Sequence, residues 1–268
     1  MPLLDFLLNR KARLCRLCGK RGTCMVGPVA PTHHGKFHTD SFALRHCPHC
    51  GVVYLDPLPT AADLKALYEE SEQFSDPHYT DPDQVSRILD YYATAIARLR
   101  LLPETGGRVL EVGAGLAWVS RACKAANPET ETVAQDVSSE CAQNCPWVDR
   151  YCIGPVEALR DAGRFDLISL THVIEHLADP DAMLRHLAAL LAPAGHLFIT
   201  APFRPGNWQP SDGIAPWNSY SYLHVPAHIT YFSQRWFEQR APAHGLGVVS
   251  WDDTHDGGQA FELVLGRT

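Results

Sequence analysis

Cys15-Arg-Leu-Cys18-Gly19 and Cys47-Pro-His-Cys50-Gly51 are two C-x-x-C-G knuckles with 28 residues between them. Each sets two thiolates on one tight turn, and the trailing glycine supplies the backbone freedom that turn needs. Together they complete a tetrahedral Zn2+ site at Cys15, Cys18, Cys47 and Cys50. Four protein ligands leave no open coordination position, so the zinc is expected to be structural, holding together a segment too short to build its own core. A redox C-x-x-C would stand once, at a strand–helix junction. The interval exceeds the roughly 15–20 residues usual between such pairs, which leaves Cys24, His33, His34, His46 and His49 as alternative ligands.

A second constellation follows at Val109-Leu-Glu111-Val-Gly113-Ala114-Gly115-Leu-Ala117. Glycines just past a strand let the backbone approach a ligand closely at the start of a helix. A dinucleotide fingerprint would place glycine at position 118, where this chain has Trp118, and would set pyrophosphate near Glu111. A carboxylate repels phosphate and suits an ammonium group. S-adenosylmethionine carries such an ammonium and no phosphate, so the charge pattern favours it. Asp136, 23 residues beyond Gly113, ends the next strand pattern. There an acidic side chain can accept both ribose hydroxyls, or instead cap Val137-Ser138-Ser139.

These residues need a scaffold. Strand patterns fall at 108–112, 132–135, 166–170, 196–201, 247–251 and 259–265, with helical stretches between the earlier ones. That alternation predicts a doubly wound α/β fold, a mostly parallel sheet covered on both faces. Apolar residues at helical spacing predict an amphipathic helix from Gln84 to Leu102, and a short helix over Ala61 to Glu70 follows the break at Asp56-Pro57-Leu58-Pro59. Tyr68, Phe74 and Tyr79 lie in or beside a Pro-punctuated stretch. Asp179-Pro180 opens a further helix whose buried stripe is Met183, Leu184, Leu187, Leu190 and Leu191, and Pro193-Ala194-Gly195 stops it. Asp256-Gly257-Gly258 reads as the turn between two final antiparallel strands. The chain divides accordingly into a zinc-binding module (1–58), a helical linker or lid (59–105) and a catalytic domain (106–268).

Hydrophobic residues at 46% and charged residues at 20% place the chain among ordinary globular proteins and exclude disorder as the default. The apolar stretch within Met1 to Arg10 is interrupted by Asp5, too short for a secretory core or a membrane span. A cytoplasmic location is expected, where nine cysteines serve as metal ligands and buried thiols. The net charge of −7 conceals an asymmetry: residues 1–50 carry eight Lys/Arg against Asp5 and Asp40, leaving 15 basic against 28 acidic residues in the remainder. A basic module on an acidic body can dock RNA. It can equally offset the local charge of about −2 that four thiolates leave around Zn2+, and base-stacking aromatics are sparse there.

The ordered series Val-Leu-Glu-Val-Gly-Ala-Gly, Asp136, Phe165-Asp-Leu-Ile-Ser-Leu-Thr-His172-Val-Ile-Glu-His176-Leu177 and Leu191-Ala-Pro-Ala-Gly-His-Leu-Phe-Ile-Thr-Ala-Pro202 resembles class I S-adenosylmethionine-dependent methyltransferases of the small-molecule type over residues 84–268. The paired knuckles resemble the zinc-bearing N-termini of natural-product and deoxysugar methyltransferases. The resemblance implies a seven-stranded Rossmann-like sheet whose last strand is antiparallel, beside a small zinc-ribbon-like module. It implies that Glu111, Gly113, Ala114 and Gly115 line the methionine part of the cofactor, Asp136 its ribose and Val137 one face of its adenine, with Val156 and His172 also at the cofactor. Two positions depart from the pattern. Ala117 stands where a third glycine is common, and Gly154-Pro-Val156-Glu157 lacks the aspartate many relatives place near the adenine amine, which leaves that contact to the Val156 backbone.

Methyl transfer from a sulfonium is an in-line displacement in which the cofactor supplies the activated carbon. A hydroxyl or protonated amine needs a base, for which His176, His224 and His228 are candidates. His228 leads and His176 is second, because His228-Ile-Thr-Tyr231-Phe232-Ser233 resembles a family segment that brings a histidine toward the methyl donor. The long stretch between Pro202 and Phe232 holds seven aromatic residues and no lysine. It is expected to wall a pocket for an aromatic or apolar small-molecule acceptor. An RNA methyltransferase is the main rival, although Leu170-Thr-His-Val173 has no Asn/Asp-Pro-Pro-aromatic clamp. A vestigial cofactor fold and a dehydrogenase are disfavoured by the intact Glu111 and glycines and by Trp118.

Overall fold

The computed structural model describes residues 13–32, 37–69, 81–103, 105–159 and 162–268. Met1–Arg10, His33, His34, Phe74 and Tyr79 lie outside the described residues. A first antiparallel sheet is built from β1 (Cys24–Val29), β2 (Phe42–His46) and β3 (Val53–Asp56). The short α1 (Ala61–Glu69) and the amphipathic α2 (Pro82–Leu99) follow. Asp81 caps α2 by accepting from the Gln84 amide, with Pro82 in the first turn. The helix stops at Leu99 rather than Leu102, because Arg100 turns left-handed (φ 51°) and closes its N–H onto the Ile96 and Ala97 carbonyls.

The main sheet then takes β4 (Arg108–Val112), α3 (Trp118–Ala126), β5 (Glu131–Asp136), β6 (Arg150–Ile153), β7 (Phe165–Thr171), α4 (Pro180–Leu190) and β8 (Leu191–Pro202). After β9 (Thr230–Tyr231) and α5 (Gln234–Arg240), β10 (Leu246–Asp252) and β11 (Ala260–Arg267) complete it. The seven strands run in the order β10-β11-β8-β7-β4-β5-β6. Neighbours from β8 to β6 pair in parallel, whereas β11 lies antiparallel between β8 and β10, as the resemblance implied.

The sequence pattern missed β6, a four-residue edge strand with no fully buried position and hence no alternation to read. It also ran α4 too far. Asp179 caps the helix through the Ala182 amide as expected, but Leu191 already sits in β8 opposite Phe165. Arg267 ends the helix early by donating to the Ala188 and Leu191 carbonyls at 2.7 and 2.9 Å.

The largest departure concerns the N-terminal module. Its sheet has the order β1-β2-β3-β9, so its last strand comes from beyond β8, with Val53 opposite Tyr231 and Tyr54 opposite Thr230. Its core is likewise joint: Phe42, Leu44, Val53 and Leu55 pack with Trp208, Trp217, Ile229 and Tyr231. The described residues of this N-terminal sheet therefore share their core with the segment beyond β8. No helix among the described residues is long and apolar enough to cross a membrane.

Candidate active site and four-cysteine centre

The C-terminal ends of β4 and β5 carry the glycine segment. Gly113 adopts φ +63°, and a Cβ built there would lie 2.5 Å from Val173 Cγ2, so this position requires glycine for conformation and for space. The loop is laced to β5: the Ala114 amide donates to the Gln135 carbonyl at 2.9 Å, and the Gly115 amide donates to Asp136 Oδ2 at 2.9 Å. Asp136 Oδ1 accepts from the Ser138 amide at 2.9 Å, so this side chain caps its own turn while bracing the loop. Tyr151, which the sequence did not single out, donates its hydroxyl to the Gly115 carbonyl at 2.8 Å. Val137 projects beyond this frame with 66% exposure.

Glu111 lies beneath the loop and is fully buried. Its oxygens accept from the Val119 and Ser120 amides at 3.1 and 2.8 Å, supplying the N-terminal cap that Ala117 cannot give α3. Burial raises its carboxyl to about 7 against those two amides, which favour the charged form. Both Glu111 oxygens are thus engaged by the first turn of α3. Ala117 is itself left-handed at φ 52°, so the missing third glycine concerns backbone conformation as well as helix packing. The Val156 carbonyl accepts from His186 Nε2 at 3.1 Å.

Across from Gly113, Thr171 leads into His172, Val173 and a 3-10 turn over Ile174–His176. His172 is left-handed (φ 55°), 40% exposed, and stacked against Tyr222 at 5.8 Å and 20°. Behind it Glu175 is completely buried, with His172 Nδ1 at 3.5 Å and His176 Nε2 at 3.9 Å from Oε1. The Ile229 amide donates to the Glu175 carbonyl at 2.9 Å, which sets His228 beside this turn. The His176 and His228 rings meet edge to face at 4.8 Å, and His224 lies 4.7 Å from His228. Burial is the first cause acting on both interior groups. It lowers His228 despite Glu175 nearby, whereas on Glu175 it is opposed by the neighbouring His172, His176 and His228, which push that carboxyl down. The two histidines predicted from sequence are therefore brought together around a carboxylate that sequence reasoning passed over. Its only signal was an acid lodged between apolar Ile174 and Leu177 just past a buried strand.

Most aromatics of the long loop fill a core instead of walling a pocket. Trp208, Trp217, Tyr220, Tyr231 and Phe232 are buried, and the first four pack into the joint core with the N-terminal sheet. Burying 150–250 Å² per ring dominates their placement. Tyr222 is the exception, half-buried against His172, with its hydroxyl donating to Asp256 at 2.9 Å. A cavity of about 380 Å³ opens nearby at the end of β8, lined by Phe203, Arg204, Asn207, Gln209, Asp253 and Thr254.

The four cysteines converge as predicted. Cys15 Sγ lies 3.8 Å from Cys50 Sγ and Cys18 Sγ lies 3.6 Å from Cys47 Sγ, with all four ligand atoms within 4.8 Å of one another. Tetrahedral ligands at about 2.3 Å from Zn2+ would stand about 3.8 Å apart, so the spacing fits a metal and is far too long for disulfides. Gly19 and Gly51 follow the knuckles at φ +72° and +76°, each donating its amide to the first cysteine's carbonyl at 2.8 Å. Sulfur-to-sulfur hydrogen bonding pulls the Cys15 thiol down to about 5 and pushes Cys50 up, whereas a bound cation would lower all four. Among the described residues no alternative ligand joins this group: His49 Nε2 pairs with the Arg21 carbonyl at 2.9 Å, and Cys24 is exposed. The centre sits on α5, where Trp236 Nε1 donates to the Leu17 carbonyl and Ser233 Oγ to the Cys50 carbonyl. Arg16, between the first two cysteines, donates to the Ile229 carbonyl at 2.8 Å and to Thr230 Oγ1.

A family model described as a methyltransferase domain matches residues 85–250, more than half of the chain. The ubiquinone biosynthesis O-methyltransferase of Xanthomonas campestris pv. campestris (strain B100) is 34% identical over 122 residues, covering 42% of this chain and 47% of that enzyme. The chain thus spans under half the length of the curated relatives it matches. Among solved structures, mitomycin 7-O-methyltransferase aligns with a TM-score of 0.52 at 17% identity, covering 73% of this chain and 60% of that one. Magnesium protoporphyrin IX methyltransferase from Synechocystis PCC 6803, with S-adenosylhomocysteine bound, aligns at 0.50 and 16% identity over 69% and 83%. At these identities the structural likeness establishes the fold.

Proposed function

The chain belongs to the methyltransferase-domain family, and on that premise we propose that it transfers a methyl group from S-adenosylmethionine to a small-molecule acceptor while Zn2+ in the four-cysteine centre holds the N-terminal sheet in place. One observation carries this reading: the braced Gly113–Gly115 loop, Asp136 and the projecting Val137 share one end of the sheet, above a buried carboxylate that opposes phosphate. When bound, the sulfonium supplies the activated methyl carbon. Asp136 would accept from the ribose hydroxyls, Val137 would cover the adenine, and Val156 and His172 would close the cofactor's other sides. The cysteine sulfurs would hold Zn2+ away from the reacting atoms.

His228 and His176 face the acceptor in this reading. A buried imidazole held near 3 is neutral at physiological pH, so His228 orients the acceptor rather than removing its proton outright. The curated O-methyltransferase relatives support an oxygen acceptor. Biosynthesis of natural products and a cytoplasmic location rest on the resemblance of the paired knuckles and on cysteine usage. Three of the module's described cations are engaged within the protein, which weighs against the rival RNA-docking role. Arg13 pairs with Asp56 at 2.7 Å, Arg45 is buried against Thr23 and Asp56, and Arg16 is drawn inside against Thr230. Calorimetry with S-adenosylhomocysteine, NAD and a short RNA tests the proposal, because only the first is expected to bind. Binding of NAD or RNA with none of S-adenosylhomocysteine would overturn it.

A further inference from the structure

Glu175, His176 and His228 form a group whose chemistry goes beyond the acceptor-orienting role of the two histidines. Glu175 is 0% exposed, and neither of its oxygens has a hydrogen-bond partner. Leaving a buried carboxylate without donors is costly, and folded chains accept that cost where a cation or a proton completes the site. Around it stand two imidazoles whose tautomers are fixed by backbone. His176 Nδ1 lies 2.9 Å from the Ala227 carbonyl and His228 Nδ1 lies 2.8 Å from the Tyr222 carbonyl. A carbonyl only accepts, so each Nδ1 carries the proton, which makes Nε2 the basic nitrogen of each neutral ring. This is the outer-shell bond that metal-ligating histidines almost always make.

One nitrogen of each ring and one Glu175 oxygen all lie within 4.8 Å of one another. Ligands bound at about 2.1 Å stand about 3.0–3.4 Å apart, so side-chain adjustments on the order of 1 Å close the set. The backbone already holds the parts in register, through Ile229 N to the Glu175 carbonyl at 2.9 Å and His176 N to the Val173 carbonyl at 3.1 Å. His172, 40% exposed, and His176, 21% exposed, lie between the buried carboxylate and solvent.

We propose that Glu175, His176 and His228 bind a divalent first-row cation, with two imidazole nitrogens and one carboxylate oxygen as ligands and further coordination positions open toward His172. Two nitrogens and one oxygen suit Mn2+, Fe2+, Co2+ or Zn2+ in a non-redox role. It is a second centre, distinct in ligand chemistry from the closed thiolate site. Resting on the methyl-transfer reading, the substrate class follows: an acceptor whose reacting hydroxyl stands beside a second oxygen donor, both oxygens filling open positions. Coordination lowers the hydroxyl's pKa and its proton leaves to water. The oxygen lone pair then forms the O–CH3 bond as the S–CH3 bond breaks, giving a methyl ether and neutral S-adenosylhomocysteine.

The test uses the full chain with zinc retained in the cysteine centre, titrated with Mn2+ and followed by loss of the free-ion EPR signal. One Mn2+ is expected per wild-type chain, with affinity at least tenfold weaker in Glu175→Gln and His228→Gln at unchanged zinc content. Calorimetry with S-adenosylhomocysteine reports on folding of the variants, and His176→Gln replaces any variant that loses that binding. Absence of Mn2+ binding to the wild type, or equal Mn2+ affinity in the variants, overturns the cation site. Mn2+ binding by a wild type that fails to bind S-adenosylhomocysteine would instead overturn the methyl-transfer reading and leave the cation site standing.

Discussion

Replacing Gly113 by alanine probes the cofactor loop through two separable effects. The left-handed φ of +63° costs a residue with a Cβ about 1–2 kcal/mol. The added methyl would also sit 2.5 Å from Val173 Cγ2 and 3.3 Å from its Cγ1. An ordinary contact is about 3.5–4.0 Å, so the loop or Val173 must yield by roughly 1 Å, an overpacking cost of about 1–3 kcal/mol. The Gly115 amide bond to Asp136 and the Ala114 amide bond to Gln135 hold the loop on its other side and limit that movement. Gly113→Ala is therefore expected to lower unfolding free energy by about 2–5 kcal/mol in urea titrations. Gly113→Ala/Val173→Ala keeps the conformational part and removes the steric part, so the double-mutant cycle should show a coupling of at least about 1 kcal/mol. A single-variant loss below about 0.5 kcal/mol, or an additive cycle, would refute the claim that this glycine serves the approach of Val173.

Glu111→Gln tests the buried carboxyl by pH. A folded value near 7 against an ordinary 4.5 means the native chain binds more protons between those limits, so its contribution is complete below 4.5 and is lost as pH rises through 7. The wild type should lose roughly 3 kcal/mol of relative stability across that window, because each pH unit between the two values is worth about 1.4 kcal/mol, and an equal slope in Glu111→Gln would sink the assignment. Asp136→Ala should weaken S-adenosylhomocysteine binding by roughly 1–3 kcal/mol, read by calorimetry, through lost charge-assisted bonds and a loosened Gly115 amide; unchanged affinity would make Asp136 only a cap. Cys47→Ser should lose zinc by elemental analysis and aggregate as the core shared by β3 and β9 opens, and full metal occupancy would exclude the thiolate site. His228→Ala should lower turnover with S-adenosylhomocysteine affinity nearly unchanged, and intact turnover on the true acceptor would move the role elsewhere.

Short-range features were legible in the sequence because the physics that sets them is local. Two cysteines and a trailing glycine define a knuckle within five residues, and both knuckles have the left-handed glycine that reading requires. The strand ending in Glu111-Val-Gly113, the acid ending β5 and the cap at Asp179 depend on neighbours a few residues away. Alternation then gave six of the seven main strands, and it failed at β6, where burial does not alternate.

What tertiary structure alone decided is where long-range burial falls. Trp208, Trp217 and Tyr231 carry the same side chains whether they wall a pocket or fill a core. Only the pairing of β9 with β3, across more than 170 residues of chain, shows that they fill a core shared with the N-terminal sheet. Glu111 reads as a ligand-facing acid until α3 is laid over it and its oxygens meet two helix amides. Glu175 reads as one more surface acid until Ile229 docks on its carbonyl and His228 arrives from some fifty residues downstream. Desolvation and charge proximity depend on which segments meet in space, and those distances determine whether a carboxylate caps a helix, faces solvent or gathers imidazoles.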